Sequence, residues 1–219
     1  MIAIYLAPFY LLLNAYFLFR ILKWLETCHV HFKKKWIKVV LIMIYAFFVF
    51  SILTAFLLPQ GTIRRIMKLI SNYWLGVLMY LALTIMIADL IRLILIYLVK
   101  ADQEKFRTPK VFRLVGSICL ILILSTSFYG VYNARNIRTT SYHVMIHKKA
   151  GTHKKLKIVL LADLHLGYNI GSSQMKQMVT KVNKQNPDLI VIAGDIFDNE
   201  YDALDDPKYL SETLHQIQS

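Results

Sequence analysis

Hydrophobic and polar positions divide the chain into two parts with different patterns. Up to about residue 131, long apolar runs alternate with short basic loops, and the four runs occupy residues 2–22, 36–58, 73–99 and 111–131. Because each helical residue rises about 1.5 Å, roughly 20 apolar residues cross the roughly 30 Å of hydrocarbon in a bilayer. The pattern therefore predicts a transmembrane domain of four helices over residues 1–131.

The pattern of residues 132–219 is that of a domain outside the bilayer. Residues 142–147 alternate as a strand does, and residues 157–161 and 189–193 are short apolar runs typical of buried strands. Between them, residues 172–185 predict a helix, and residues 207–218 predict another. One face of the first helix would carry four apolar residues: Met175, Met178, Val179 and Val182. The order predicts the first part of an α/β domain with a parallel central pair of strands.

Composition and charge support this division. The 219 residues are 57% hydrophobic and carry a net charge of +13. Residues 1–130 hold 15 basic and 4 acidic side chains, whereas residues 131–219 hold 11 and 9. The basic excess thus flanks the apolar runs, whereas a nucleic-acid-binding protein more often gathers it on a soluble face. We predict a multi-pass protein of the cell membrane, with the lipid bilayer as a partner and no nucleic acid.

Basic residues in the loops also predict an orientation. The first and third loops are rich in lysine and arginine, while the second carries only Arg64, Arg65 and Lys68. Because basic loops tend to stay in the cytoplasm, both ends of the chain are expected outside it. The residues that follow the fourth run oppose this arrangement: Arg135, Arg138, Lys148 and Lys149.

Two charged residues interrupt the third apolar run. Asp89 and Arg92 are three positions apart, so they share a helix face. We predict that they pair with each other, with the arginine reaching toward the interface. Charged residues inside a membrane span can also mark an ion path, so a small transporter or channel is an alternative.

Candidate chemistry follows the two buried strands. Asp163 and His165 come directly after the first strand, and Asp195 and Asp198 come after the second. The carboxyl ends of neighbouring parallel strands meet at one edge of a sheet, where open α/β sheets place their ligands. Carboxylates forced together repel each other unless a cation lies between them, and oxygen with imidazole ligands suits Mn, Fe or Zn. The two groups lie about 30 residues apart with one helix between them, the size of a β-α-β unit, which favours a metal site.

Two other polar clusters give weaker indications of a binding site. His143, His147 and His153 have no carboxylate close by in the sequence, so we interpret them as surface residues. An acidic run lacks the spaced glycine and final glutamate of a calcium loop, so we interpret it as a solvated loop: Glu200, Asp202, Asp205 and Asp206.

The segments Asp163-Leu164-His165 and Gly194-Asp195-Ile196-Phe197-Asp198 resemble the first two signature blocks of the calcineurin-like metallophosphoesterases. The resemblance covers roughly residues 157–198 and implies an α/β/β/α sandwich with two divalent metal ions. By this resemblance, Asp163 and His165 bind the first ion, Asp195 bridges both, and Asp198 orients a catalytic histidine from a later motif. The apolar half is similar to the helical anchors of membrane-bound bacterial members.

The family's chemistry is attack on a phosphomonoester or phosphodiester by a metal-activated hydroxide. For a membrane-tethered member with its catalytic part outside the cytoplasm, we expect a lipid-linked or envelope-derived substrate. The family pattern continues with a Gly-Asn-His-Asp/Glu block, a further histidine and a Gly-His-x-His block, none of which occurs in the sequence. The expectation is therefore an incomplete chain that is weak or inactive alone. The alternative is a non-catalytic membrane protein with a remnant metal-binding half-site.

Overall fold

The computed structural model describes residues 2–147, 155–198 and 203–218 of the chain. It comprises two compact units, Met1–Gly130 and Val131–Ser219. The predicted residues Lys148, Lys149, His153, Glu200 and Asp202 lie outside the described part.

The first unit is helical throughout. Its helices are α1 (Ile2–Cys28), α2 (Lys35–Leu57), α3 (Thr62–Tyr97), α4 (Gln103–Arg107) and α5 (Pro109–Arg135), with a 3₁₀ helix at Val30–Lys33. Four of them, α1, α2, α3 and α5, are long and apolar enough to cross a membrane. This confirms the prediction of a helical domain built from four long apolar helices.

Helix α3 extends beyond the apolar run from which it was predicted. It begins at Thr62, ahead of the run that starts at Tyr73. The added turns contain Arg64, Arg65 and Lys68, which are good helix formers but too polar to continue an apolar pattern. The apolar run therefore predicts the membrane span, whereas the helix propensity of the residues before it explains why the helix begins at Thr62.

A small core holds the helical unit together. Phe17 of α1 is fully buried, and it clusters with four other buried side chains: Leu78, Leu81, Ile85 and Ile123. Most other large apolar side chains of these helices are exposed, such as Phe56 at 70% and Phe128 at 73%. Helices that are apolar on all sides are typical of membrane spans, whose outer surfaces contact lipid.

The charged residues of α3 pair differently from the prediction. Asp89 accepts hydrogen bonds from Nη1 of Arg20 in α1, at 2.8 Å to each carboxylate oxygen, and from the Tyr16 hydroxyl at 2.5 Å. The predicted pair between Asp89 and Arg92 is therefore wrong, and Arg92 has no ion-pair partner among the described residues. Two donors on α1 satisfy the carboxylate more completely than one arginine on the same helix would, and they join the two helices.

The second unit contains the predicted β-α-β arrangement. Its elements are β1 (Ile158–Leu161), α6 (Ser172–Asn183), β2 (Leu189–Ile192) and α7 (Pro207–Leu214). Strands β1 and β2 are parallel, with Ile158 opposite Leu189 and Leu161 opposite Ile192. The small parallel β/α region confirms the predicted beginning of an α/β domain.

Helix α6 packs on one face of this two-stranded sheet. The four residues predicted on its apolar face are all buried: Met175, Met178, Val179 and Val182. They form a core with Leu166, Leu204 and Leu210, against which Val159 and Ile190 of the strands pack. The helical period of the sequence thus identifies the buried face correctly.

The predicted strand over residues 142–147 is absent. Residues 141–147 contain no strand, and Tyr142, Val144, Met145 and Ile146 are all strongly exposed. A strand exists only through hydrogen bonds to a neighbour, and no described segment pairs with this one. His143 and His147 accordingly lie on an exposed segment, as surface residues.

Candidate metal centre

Hydrogen bonds continue past the ends of the strands and join the two segments that carry the candidate ligands. The N–H of His165 donates to the carbonyl of Asp195 at 2.9 Å, and the N–H of Leu166 donates to Ile196 at 2.8 Å. The N–H of Asp198 returns a bond of 2.9 Å to the carbonyl of Leu166. The segments after β1 and β2 therefore run side by side, as predicted for adjacent parallel strands.

The backbone at this edge has an uncommon conformation. Asp163, His165 and Asp195 have φ angles of +53°, +45° and +46°, and Gly194 has +83°. The left-handed region costs roughly 1–2 kcal/mol for a residue with a side chain, and aspartate tolerates it better than most. Such conformations persist where the surrounding hydrogen bonds impose them, and they cluster at functional sites. Here they coincide with all three predicted metal ligands.

The three predicted ligands come together. One ligand atom from each of Asp163, His165 and Asp195 lies within 4.8 Å of the other two, and all three residues are exposed. Metal–ligand bonds of about 2.0–2.2 Å place two ligands of one ion at most about 4.4 Å apart. Small rotations of exposed side chains would bring the set into that range. Two carboxylates and one imidazole also form the donor set expected for Mn, Fe or Zn.

Asp198 lies beside these three residues but is not part of the convergent set. Its Oδ1 is 3.6 Å from Nδ1 of His165, and both side chains are about half exposed. Gly167 makes room for it, since a Cβ atom at Gly167 would lie 2.9 Å from Cβ of Asp198. The structure thus places Asp198 against the imidazole of His165. Its predicted contact with a later histidine remains a prediction.

Asp205 has a role that the sequence did not indicate. Its carboxylate accepts hydrogen bonds of 3.0 and 3.2 Å from the N–H of Ser172, at the first turn of α6. Partial burial raises the pKa of Asp205, but hydrogen bonds from the N–H groups of Ser172 and Asp206 outweigh it, so the pKa lies below its usual value. Asp205 therefore caps a helix while it remains an exposed residue of the loop before α7, as predicted.

The capping contact also explains a glycine. A Cβ atom at Gly171 would lie 2.6 Å from Oδ2 of Asp205, so a larger residue would displace the carboxylate. A helix cap is predicted from the residues that flank the helix in the sequence. Asp205 is far from Ser172 in the sequence, so such a prediction does not find it. Only the tertiary structure reveals this contact.

Comparison with known families agrees with this geometry. Residues 156–218 match the family model of the calcineurin-like phosphoesterases. This range includes all four candidate site residues, Asp163, His165, Asp195 and Asp198, and the α/β elements described above. The C-terminal unit therefore matches part of the calcineurin-like phosphoesterase domain, which confirms the resemblance.

One individual relative extends the likeness to the helical unit. An uncharacterized metallophosphoesterase of Campylobacter jejuni is 30% identical over 192 residues, which cover 83% of this chain and 50% of the relative. A transmembrane protein with metallophosphoesterase domain from Danio rerio is 33% identical over 88 residues, or 40% of this chain and 20% of the relative. Its Bos taurus counterpart is 35% identical over 89 residues, with the same shares. No solved structure matches the chain.

The extent of these alignments bears on both units. A match over 83% of the chain is longer than the C-terminal unit, so it includes much of the helical unit as well. The chain spans half the length of the Campylobacter jejuni relative and about a fifth of the two vertebrate relatives.

Proposed function

We propose that the protein is a membrane-bound, metal-dependent phosphoesterase. The observation that carries this proposal is the convergence of Asp163, His165 and Asp195 at the carboxyl ends of two parallel strands. The same residues lie in the segment that matches the phosphoesterase family. Parallel strand ends are where α/β proteins build their sites, so the location and the donor chemistry agree.

Each residue has a distinct part in this proposal. Asp163 and His165 would hold one divalent ion, and Asp195 would contribute to that ion and to a second. Bound divalent ions would neutralise charge on the phosphoryl oxygens and lower the pKa of a water molecule. Asp198 would restrain the imidazole of His165 through the contact seen at 3.6 Å. Carboxylates that orient metal-bound histidines are a regular part of such sites.

The four candidate spans support insertion in a bilayer. A catalytic unit tethered in this way meets substrates at the membrane surface, so we propose a lipid-linked or envelope-derived phosphoester. From the basic residues of the first and third loops, we propose that the catalytic unit lies outside the cytoplasm. Reporter fusions at the carboxyl end test the orientation: alkaline phosphatase should be active there and a fluorescent protein dark. The opposite pair of results would reverse it.

The activity is tested by hydrolysis of bis-p-nitrophenyl phosphate with Mn²⁺ in detergent, on the chain and on Asp195→Asn. Two-metal hydrolysis needs more ligands than these three. The assay therefore includes a fusion of this chain to the part of the Campylobacter jejuni relative that the match does not cover. We expect turnover by the fusion that is lost with Asp195→Asn and kept with Glu212→Gln, an exposed carboxylate of α7. Equal turnover by the fusion and by its Asp195→Asn variant would refute the proposed metal site.

A non-catalytic role is the second candidate. The three convergent ligands suffice to hold a single ion, which favours a regulatory or structural metal site in this chain. Metal binding without hydrolysis in both the chain and the fusion would support this alternative. Hydrolysis by the fusion would favour the enzyme.

A further inference from the structure

The helical unit contains a cavity that the phosphoesterase site does not use. Its volume is about 300 Å³, and residues of α1, α3, α4 and α5 line it. Apart from Arg20, Asp89 and Arg92, its walls are mostly apolar, with Ile91 and Phe112 among them. A second cavity of about 300 Å³ is lined by some of the same residues, including Arg20 and Phe112. An elongated apolar group would find room here.

The charges in the cavity wall do not cancel. Arg20 and Asp89 neutralise each other through the hydrogen bonds at 2.8 Å. Arg92 is half-buried, and its guanidinium has no hydrogen bond or ion pair among the described residues. The wall therefore has a net charge of +1 from one guanidinium that is able to bind an anion. A cation in apolar surroundings is costly unless an anion or water pairs with it.

The cavity lies close to one end of the helices. Arg92 is in the last turns of α3, which ends at Tyr97, and Phe112 is in the first turn of α5. At the same end, Nε1 of Trp24 donates a hydrogen bond of 3.1 Å to the carbonyl of Arg113. Tryptophan and arginine side chains at helix ends are typical of headgroup depth. An anion bound to Arg92 would thus sit where lipid phosphates lie, and an attached chain would extend into the apolar cavity.

From these observations we infer that the cavity binds one acyl chain of an anionic phospholipid, with its phosphate on Arg92. Basic pockets between transmembrane helices commonly bind anionic headgroups on the cytoplasmic side, where the first and third loops are proposed to lie. Charge selects the occupant, since the single cation is complemented by a lipid with net negative charge and not by a zwitterionic one. The inference rests on the membrane insertion included in the proposed function, and it does not depend on phosphoester hydrolysis.

Lipid binding is measured on the full chain, purified in detergent with EDTA so that no hydrolysis takes place. Phosphatidylglycerol and phosphatidylcholine with the same brominated acyl chains are titrated, and quenching of tryptophan fluorescence reports binding, because Trp24 and Trp74 line the second cavity. We expect saturable quenching that prefers phosphatidylglycerol. Arg92→Gln should weaken its binding about tenfold, as expected for loss of a charged hydrogen bond. The matched control, Arg65→Gln, changes an arginine of the same helix that does not line the cavity.

Two further results complete the test. Ala88→Phe, which fills the wall shared by both cavities, should abolish saturable binding while circular dichroism shows the helices intact. Glycerol phosphate, the headgroup without chains, should not compete at equal concentration. Equal quenching by both lipids, unchanged binding to Arg92→Gln, or competition by glycerol phosphate would each overturn the inference. Membrane insertion is checked separately, by retention of the chain in alkali-washed membranes.

Discussion

The N–H of His165 donates a hydrogen bond of 2.9 Å to the carbonyl of Asp195, so two candidate metal ligands are joined through their main chains. Both residues have left-handed φ angles. The hydrogen bonds between the two paired segments therefore hold the backbone of the site. Pre-formed ligands lose less conformational entropy on binding, which favours affinity.

We predict a ranking of metal affinity among site variants. His165→Ala and Asp163→Asn each remove a ligand and should weaken Mn²⁺ binding far more than tenfold, measured by calorimetry in detergent. Asp198→Asn removes only a contact to His165 and should weaken it about tenfold, the lower range for such supporting groups. Glu212→Gln, on the exposed surface of α7, should not change it. A larger loss from Asp198→Asn than from Asp163→Asn would make Asp198 itself the ligand.

Asp205 should make the stability of α6 depend on pH. Its pKa in the folded protein is below the unfolded value, so its stabilising effect is present above the unfolded pKa, near 3.9, and is lost as pH falls through the folded pKa. Asp205→Ala should destabilise α6 by about 1 kcal/mol at pH 7, as for other helix caps. The measurement is hydrogen exchange of residues 172–183, corrected for intrinsic rates.

The same exchange measurement supplies the control for Asp205. Between pH 5 and 3, protection of α6 should fall more in the wild type than in Asp205→Ala. Glu212→Gln should follow the wild type throughout. If protection in the alanine variant falls equally steeply, the pH dependence comes from other carboxylates.

Because α1 packs closely on α5, a single added methyl group is expected to lower the stability of the protein. A Cβ atom at Gly116 would overlap Cδ1 of Trp24, so the indole must move and lose its hydrogen bond to Arg113. Gly116→Ala should cost about 1–3 kcal/mol, as overpacked cores do, and should lower the thermal stability measured in detergent. Gly76→Ala is the matched control, because nothing lies within 4 Å of a Cβ atom there. An equal loss from both changes would refute the contact.

The ion pair between α1 and α3 predicts which charge matters for stability. Arg20 and Asp89 are 21% and 30% exposed, so Asp89→Ala leaves a mostly buried guanidinium without its partner. Breaking such a pair costs about 3 kcal/mol, measured as thermal stability in detergent. Replacing both residues, as in Arg20→Met with Asp89→Leu, should recover part of the loss. Arg92→Gln alone should leave thermal stability almost unchanged. A loss equal to that of Asp89→Ala would instead support the pairing of Asp89 with Arg92 that the sequence predicts.

The sequence by itself determined the elements of this protein and the location of its candidate site. The four long helices, the buried face of α6 and the two strands that precede Asp163 and Asp195 all follow from local patterns. Local patterns suffice for these features because the period of apolar residues reflects which side of one element faces away from water. The order of the strands also predicts that the ligands lie at one edge, since parallel neighbours share that edge.

The tertiary structure alone decided which distant groups meet. Asp89 binds Arg20 rather than Arg92, Asp205 caps a helix that begins at Ser172, and residues 142–147 alternate like a strand without forming one. The first two outcomes depend on a partner from another element. The third depends on the absence of a neighbouring strand within the described chain. Sequence spacing makes a contact possible, but the hydrogen bonds and packing available at the assembled position determine which contact forms.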